Sequence, residues 1–383
     1  MKNTARLYPK LGGWLLVLAA ISMMVGSASA VDVYLAAKPF TMAMPDATVV
    51  PMWGYESYTD DTFTTVVSSV SSPGPLLTVP VGDGTLTIHL KNDLAEPTSI
   101  FIPMLYAPLD PVFFTDPQGR QRARSFTHET APGDTGIYTW ENVHPGTFLY
   151  ESGSHPAVQV QMGLYGAAKK DFAAGEAYPG QLYDLEQILF FSEIDYGLHQ
   201  AVDTGTYGQP DSSYQSTIDY KPKYYLVNGS PYTLAQNMVA GGGTERVLVR
   251  FVNAGINYHV AELLNLYMSM VAEDGHAYPY PQREYMSFLP PSKTMDGIVT
   301  RPGAGAFHFM DRYNYPSTAG PFPDLNLDGL ITLFDVAILT DYLGGNIDQG
   351  DPPFIAALSN ADLNMDGVIN SADLILLIMR TAQ

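Results

Sequence analysis

Cysteine is absent from the 383 residues. Without thiols the chain has no disulfides, so its stability rests on core size and bound ions. It also has no thiol nucleophile, and no copper centre of the kind built from one cysteine sulfur and two histidines. Cations are scarce: 19 Lys and Arg stand against 39 Asp and Glu, for a formal net charge of −20. Such an excess repels phosphates, which excludes nucleic acid as an expected partner, while it suits cation binding. Beyond the N-terminus no apolar run reaches the roughly 18 residues that span a bilayer. Neither a Gly-x-Ser-x-Gly elbow nor a Gly-rich phosphate loop is present.

What is present begins with an export pattern. Lys2, Arg6 and Lys10 precede the apolar stretch Trp14 to Val25, and Ser27-Ala28-Ser29-Ala30 supplies the small residues of a cleavage site. The pattern predicts a secretory signal over 1–30, cleaved after Ala30. A secreted or cell-surface protein is expected, with no membrane insertion after cleavage. Losing the three leader cations takes the charge from −20 to about −23.

From Val31 onward the chain alternates in short runs broken by Gly, Pro, Asp and Asn. Thr85 to Leu90, Gly136 to Trp140 and Gly146 to Tyr150 read as strands. Gln187 to Phe191, Tyr224 to Asn228 and Arg246 to Ala254 repeat the pattern further on. A hydrophobic content of 46% makes the body globular. The expectation is mainly β: one sandwich domain over 31–172 and a second over 173–312. Residues 197–220 are polar and rich in Tyr, Gly and Ser, and read as a surface excursion. A Pro/Tyr/Ser/Gly-rich linker follows at 313–321.

Over 322–383 the character changes. Two twelve-residue segments repeat at an offset of 38, starting at Asp324 and Asp362. The first places Asp324, Asn326, Asp328, Leu330, Thr332 and Asp335 at loop positions 1, 3, 5, 7, 9 and 12. The second places Asp362, Asn364, Asp366, Val368, Asn370 and Asp373 there. Calcium takes six to eight oxygen ligands at about 2.3–2.6 Å. Alternate side chains supply them, Gly329 and Gly367 make the sharp turn, and Leu330 and Val368 offer backbone carbonyls. Each loop leads into an apolar helical segment, with Ile331 and Ile369 placed to pair between loops. Two calcium ions are expected.

Loop followed by helix, duplicated, with Asp at position 12 and no entering helix, resembles a type I dockerin. The resemblance implies a small α-helical module with paired EF-hand-like loops that docks onto a cohesin. In that family loop positions 10 and 11 help set partner choice; here they are Leu333-Phe334 and Ser371-Ala372. Leu333 and Phe334 are read either as an exposed docking patch or as internal packing.

Several phrases of the body resemble multicopper oxidases, laccase-like enzymes built of cupredoxin domains. Gly74 to Val79, Pro97 to Ile100, Pro145 to Tyr150 and Gln161 to Gly166 carry the likeness in the first domain. Leu226 to Gly229, Arg250 to Ala254 and Ala272 to Gly275 carry it in the second. The resemblance implies two Greek-key β-sandwich domains. It also implies a His-x-His motif where this chain has Phe101-Ile102-Pro103, and another where it has Glu151-Ser152-Gly153. With those four histidines replaced, copper is not expected.

The first reading is therefore a binding or structural component carried by a calcium-loaded dockerin onto an extracellular assembly, rather than an enzyme. One alternative is an oxidoreductase with a rebuilt or partner-completed copper site, for which Glu151 with His155 is the best candidate pair. His128 beside Glu129, and His276 after Glu273 and Asp274, are weaker. A second alternative is a protein that binds or degrades polysaccharide, with some of the 25 Tyr stacking on sugars.

Overall fold

The computed structural model describes residues 30–107, 110–231, 236–237, 243–263, 266–301, 308–311, 325, 333–347, 361–363 and 368–381. All but Ala30 of the leader expected over 1–30, the linker expected at 313–321 and most of both expected calcium loops lie outside the described residues.

The first half builds β1 (Ala30–Ala43), β2 (Val49–Tyr58), β3 (Val66–Ser71), β4 (Leu77–Val79), β5 (Thr85–Asn92), β6 (Val112–Thr115) and β7 (Gln121–Ser125). It continues with β8 (Thr135–Glu141), β9 (Gly146–Glu151), α1 (Pro156–Met162) and β10 (Tyr165–Lys170). One sheet runs β3-β2-β1-β5-β8 and faces a second, β4-β10-β9. The strand β5 shows why: Leu86, Ile88, Leu90 and Asn92 are buried and alternate with half-buried neighbours, the period of a strand with one face inward. Leu35, Ile88, Trp140, Phe148 and Tyr150 fill the space between the sheets.

Two short strands, β11 (Glu176–Tyr178) and β12 (Gln181–Leu182), lead into the second half. It comprises β13 (Leu185–Ile194), α2 (Tyr196–Asp203), β14 (Tyr224–Val227), β15 (Ser230–Pro231), β16 (Gln236–Asn237), β17 (Arg246–Asn253) and β18 (His259–Leu263). It ends with β19 (Met268–Glu273), β20 (His276–Glu284), β21 (Met286–Leu289), β22 (Thr294–Thr300) and β23 (His308–Asp311). The order β15-β14-β13-β17-β22-β19-β20 packs on β16-β23-β18-β21. The parallel pair β1 with β5 recurs as the parallel pair β13 with β17, so the two sandwiches share one plan.

The sandwiches join through two apolar seams, Leu149 and Tyr165 against Phe190 and Val252, and Met52 against Ile194 and Leu226. A polar seam lies beside them. Arg250, wholly buried, donates to Thr147, Glu186 and Asp171, and Thr147 donates to Asp296 at 2.6 Å.

The excursion expected over 197–220 instead opens with a helix. Asp195 caps α2 by accepting the amides of Gly197 and Leu198, and Leu198, His199 and Ala201 turn inward. His199 lies within 2.7 Å of the Pro51 carbonyl in β2, so α2 straps the two sandwiches together.

At the C-terminus α3 (Leu333–Leu343) and α4 (Ser371–Thr381) pack as a pair. Leu339, Leu376 and Leu377 are buried, and their apolar cluster is continuous with the core of the second sandwich.

Candidate functional site

Of the twelve expected calcium ligands, Asp324, Asn326, Asp328, Leu330, Thr332, Asn364 and Asp366 lie outside the described residues, as does Ile331. The rest show how the loops close. Asp335 Oδ1 accepts the amide of Leu325 at 2.7 Å, and Asp373 Oδ1 accepts that of Leu363 at 2.8 Å. Both carboxylates are fully buried. Asp373 Oδ2 also accepts the Asn370 amide at 2.8 Å, while Asn370 Oδ1 accepts that of Ala372 at 2.7 Å. Position 12 therefore reaches back to position 2 in each repeat and stands in the first turn of its helix. A carboxylate there is favoured by the helix dipole. Leu333 and Phe334 are 74% and 72% exposed, which resolves their reading in favour of a surface patch.

The substituted motif positions of the first sandwich meet in space. Phe101 and Glu151 exchange both backbone hydrogen bonds, at 2.8 and 2.9 Å, in an isolated antiparallel bridge. A side chain at Gly153 would meet Phe101 Cβ and Ser99 Oγ at 3.1 Å, so this corner is closed. Hydroxyls and one amide fill it. Ser154 contacts Ser99 at 3.0 Å and Ser125 at 3.2 Å, and Ser152 and Thr98 donate to Gln159 Oε1 at 2.7 and 2.9 Å. These groups satisfy one another, which removes the penalty of burying them. Glu151 is the exception. Its carboxyl has no hydrogen-bond partner among the described residues, and burial pushes it up to about 7.

His155 is exposed at the start of α1, whereas Glu151 is buried; no hydrogen bond or ion pair joins them. His128 stacks on Tyr138 with centroids 4.2 Å apart. Among the described residues no group of three or more His, Asp or Glu is arranged to hold a metal ion.

One constellation was not legible in the sequence. His259, buried in the second sandwich, lies 2.5 Å from Asp311 through Nδ1 and 3.3 Å from Glu193 through Nε2. Burial alone would lower its affinity for a proton. The hydrogen bonds to Asp311 and Glu193 outweigh this and push it up to about 9. The ring bridges the two carboxylates with opposite nitrogens, so all three do not converge on one point. The three residues are far apart in the chain, and only the pairing of β18 with β23 unites His259 with Asp311.

These features belong to a body of two β-sandwiches followed by a loop–helix module. Residues 323–380 match the family described as the dockerin type I domain. The chain is similar in fold to the multicopper oxidase mgLAC, at TM-score 0.58 and 16% identity over 76% of this chain and 82% of that one. The blue copper oxidase from Nitrosomonas europaea gives 0.58 and 16%, covering 77% and 83%. The copper nitrite reductase from Nitrosomonas europaea gives 0.55 and 20%, covering 74% and 89%. At these identities the likeness establishes the fold alone. No curated protein matches the chain by sequence. The protein is thus a two-sandwich body of multicopper-oxidase fold carrying a C-terminal type I dockerin. Such a dockerin implies attachment to a cohesin-bearing assembly.

Proposed function

We propose that this is an exported, non-catalytic binding or structural component, held on an extracellular assembly by a dockerin that carries two calcium ions. The observation that carries the reading is the closed corner at Phe101 and Glu151. The four positions that correspond to the oxidases' histidine motifs hold Phe101, Pro103, Glu151 and Gly153. Three of them border a corner occupied by hydroxyls. Oxygen reduction needs several copper ions held close together; this corner offers one buried carboxyl, and His128, which lines a pocket with Phe101 and Thr127, is stacked on Tyr138. The exposed Leu333 and Phe334, at the first turn of α3, supply an apolar docking patch of the kind a cohesin partner covers.

The test pairs two measurements on the mature chain. Cohesin-coated beads capture it in calcium and release it in chelator. After exposure to copper it consumes no oxygen with a phenolic substrate. Copper-dependent oxygen uptake that disappears in Glu151→Gln would replace this reading with the oxidoreductase one.

One observation favours a second reading, polysaccharide binding. A surface depression of about 310 Å³ is lined by Tyr106, His128, Ile137, Thr139, Glu141 and Asn142. Tyr106 is 84% exposed beside it. An aromatic face next to carboxylate and amide groups is a sugar-stacking arrangement. Retention on insoluble polysaccharide that Tyr106→Ala abolishes would establish it.

A further inference from the structure

His144 and His276 belong to different sandwiches and meet at their seam, ring centroids 5.1 Å apart and planes inclined at 53°. Each is held by its backbone. His276 opens β20 directly after the two-residue turn Asp274-Gly275, where both residues have positive φ, 48° and 73°. That geometry is the tight hairpin turn that fixes register. His144 sits in the short connection before β9. A Cβ at position 275 would meet His144 Cε1 at 3.0 Å and crowd Phe148 more closely still, so the glycine also permits the close approach.

The hydrogen bonds fix the tautomers. His144 Nδ1 lies 3.1 Å from the Pro145 carbonyl, and His276 Nδ1 lies 2.9 Å from the Asp274 carbonyl. A carbonyl only accepts, so each Nδ1 carries the proton and each Nε2 carries a lone pair. Neither Nε2 has a hydrogen bond among the described residues. A ring N–H pinned to a carbonyl while the other nitrogen stays open is the arrangement of metal-binding histidines. Two imidazoles that share one ion at about 2.0–2.1 Å hold their centroids roughly 5 Å apart when the ligand angle is near tetrahedral. The neighbouring carboxylates are already engaged: Lys293 pairs with Glu273 at 3.2 Å and with Asp274 at 2.8 Å.

We infer that His144 and His276 together bind one divalent transition-metal ion, with water completing its shell, and so latch the two sandwiches. Imidazole selects copper, nickel and zinc, with copper bound tightest. Calcium, which takes oxygen ligands, is left to the dockerin. The site is separate from the Phe101–Glu151 corner: His144 and Glu151 flank opposite ends of β9, roughly 20 Å apart at strand rise. One ion on two imidazoles is not the cluster of several copper ions that the oxidoreductase reading needs, so this inference stands whether or not the proposed function does.

The test uses the full mature chain saturated with calcium, titrated with copper and separately with zinc. Equilibrium dialysis with elemental analysis gives stoichiometry, and electron paramagnetic resonance reports nitrogen ligands to copper. The expected result is one copper per chain with two nitrogens. His144→Gln and His276→Gln should each weaken binding at least about tenfold. Zinc should raise the thermal midpoint of the parent and not of either variant. Unchanged copper binding in the double variant would overturn the inference, as would an ion held equally well after both single substitutions. Circular dichroism of the β-body confirms that the variants fold; His276 is exposed, so its replacement leaves the core untouched.

Discussion

Arg250 of the second sandwich donates to Thr147 of the first at 2.8 Å, from a position with no solvent exposure. Its Nε and Nη2 face Glu186 and Asp171, and the Nη1 that donates to Thr147 also lies 3.8 Å from Asp296. A buried guanidinium so placed ties its own sandwich to its neighbour. Removing one member of a buried ion network leaves the others uncompensated, at a cost of about 3–5 kcal/mol. Arg250→Met is expected to destabilise the body by that amount in urea denaturation. The seam also contains an exposed pair, Lys223 with Asp46 at 2.7 Å. Lys223→Ala should cost less than about 1 kcal/mol, because solvent screens it. Equal effects from the two substitutions would refute the assignment of the lock to Arg250.

Asp335 and Asp373 make the same backward hydrogen bond 38 residues apart, which makes them the internal ties of the two loops. Asp373→Ala removes the carboxylate that accepts the amides of Leu363 and Asn370, and with it an expected calcium ligand. The lost hydrogen bonds alone cost about 1–3 kcal/mol. The expected outcome is loss of one calcium per chain by elemental analysis, with the first loop still loaded. Retention of both ions would show that position 12 is not a ligand.

Calcium removal is expected to act on the C-terminal module first. Ion binding and folding are coupled wherever the ligands are assembled only in the folded state. Chelator should abolish the helical signal of α3 and α4 while the β-sheet signal persists. Docking to cohesin should be lost with it. A helical signal that survives chelation would sink the coupling.

Much of this was legible beforehand, and the reason is locality. The dockerin repeat is written in two runs of twelve consecutive residues, and a strand such as Thr85–Asn92 declares its buried face by alternation. The helix α2 escaped because its Tyr- and Gly-rich surroundings masked Leu198 and Ala201, although Asp195 stood ready as a cap. The pairs that matter most to the seam and the buried centre are non-local. Arg250 with Thr147, His259 with Asp311 and His144 with His276 are brought together only by sheet pairing and sandwich docking. Periodicity carries no information about such meetings.

Two buried groups of the body, Glu151 and His259, act in one direction, while the buried His199 ring, whose affinity for a proton burial lowers, opposes them below about pH 6.5. Glu151 binds its proton with a folded value of about 7 against 4.5 for an ordinary glutamate, because burial disfavours the charged form. The folded state then holds the proton more tightly, so stability falls as pH rises from about 4.5 through 7. For His259 burial opposes the charge, but Asp311 and Glu193 raise the folded value to about 9 against 6.5. Its contribution is complete below 6.5 and is lost as pH rises through 9. The body is therefore expected to be most stable in mildly acid solution, with a thermal midpoint that declines between pH 6 and 9.5. Glu151→Gln keeps the shape of the neutral carboxyl and cannot ionise. It should be neutral at pH 4.5 and stabilising at pH 8 by on the order of 3 kcal/mol. A midpoint that rises with pH over this range, or a Gln variant no more stable than the parent at pH 8, would show that Glu151 is ionised in the folded corner.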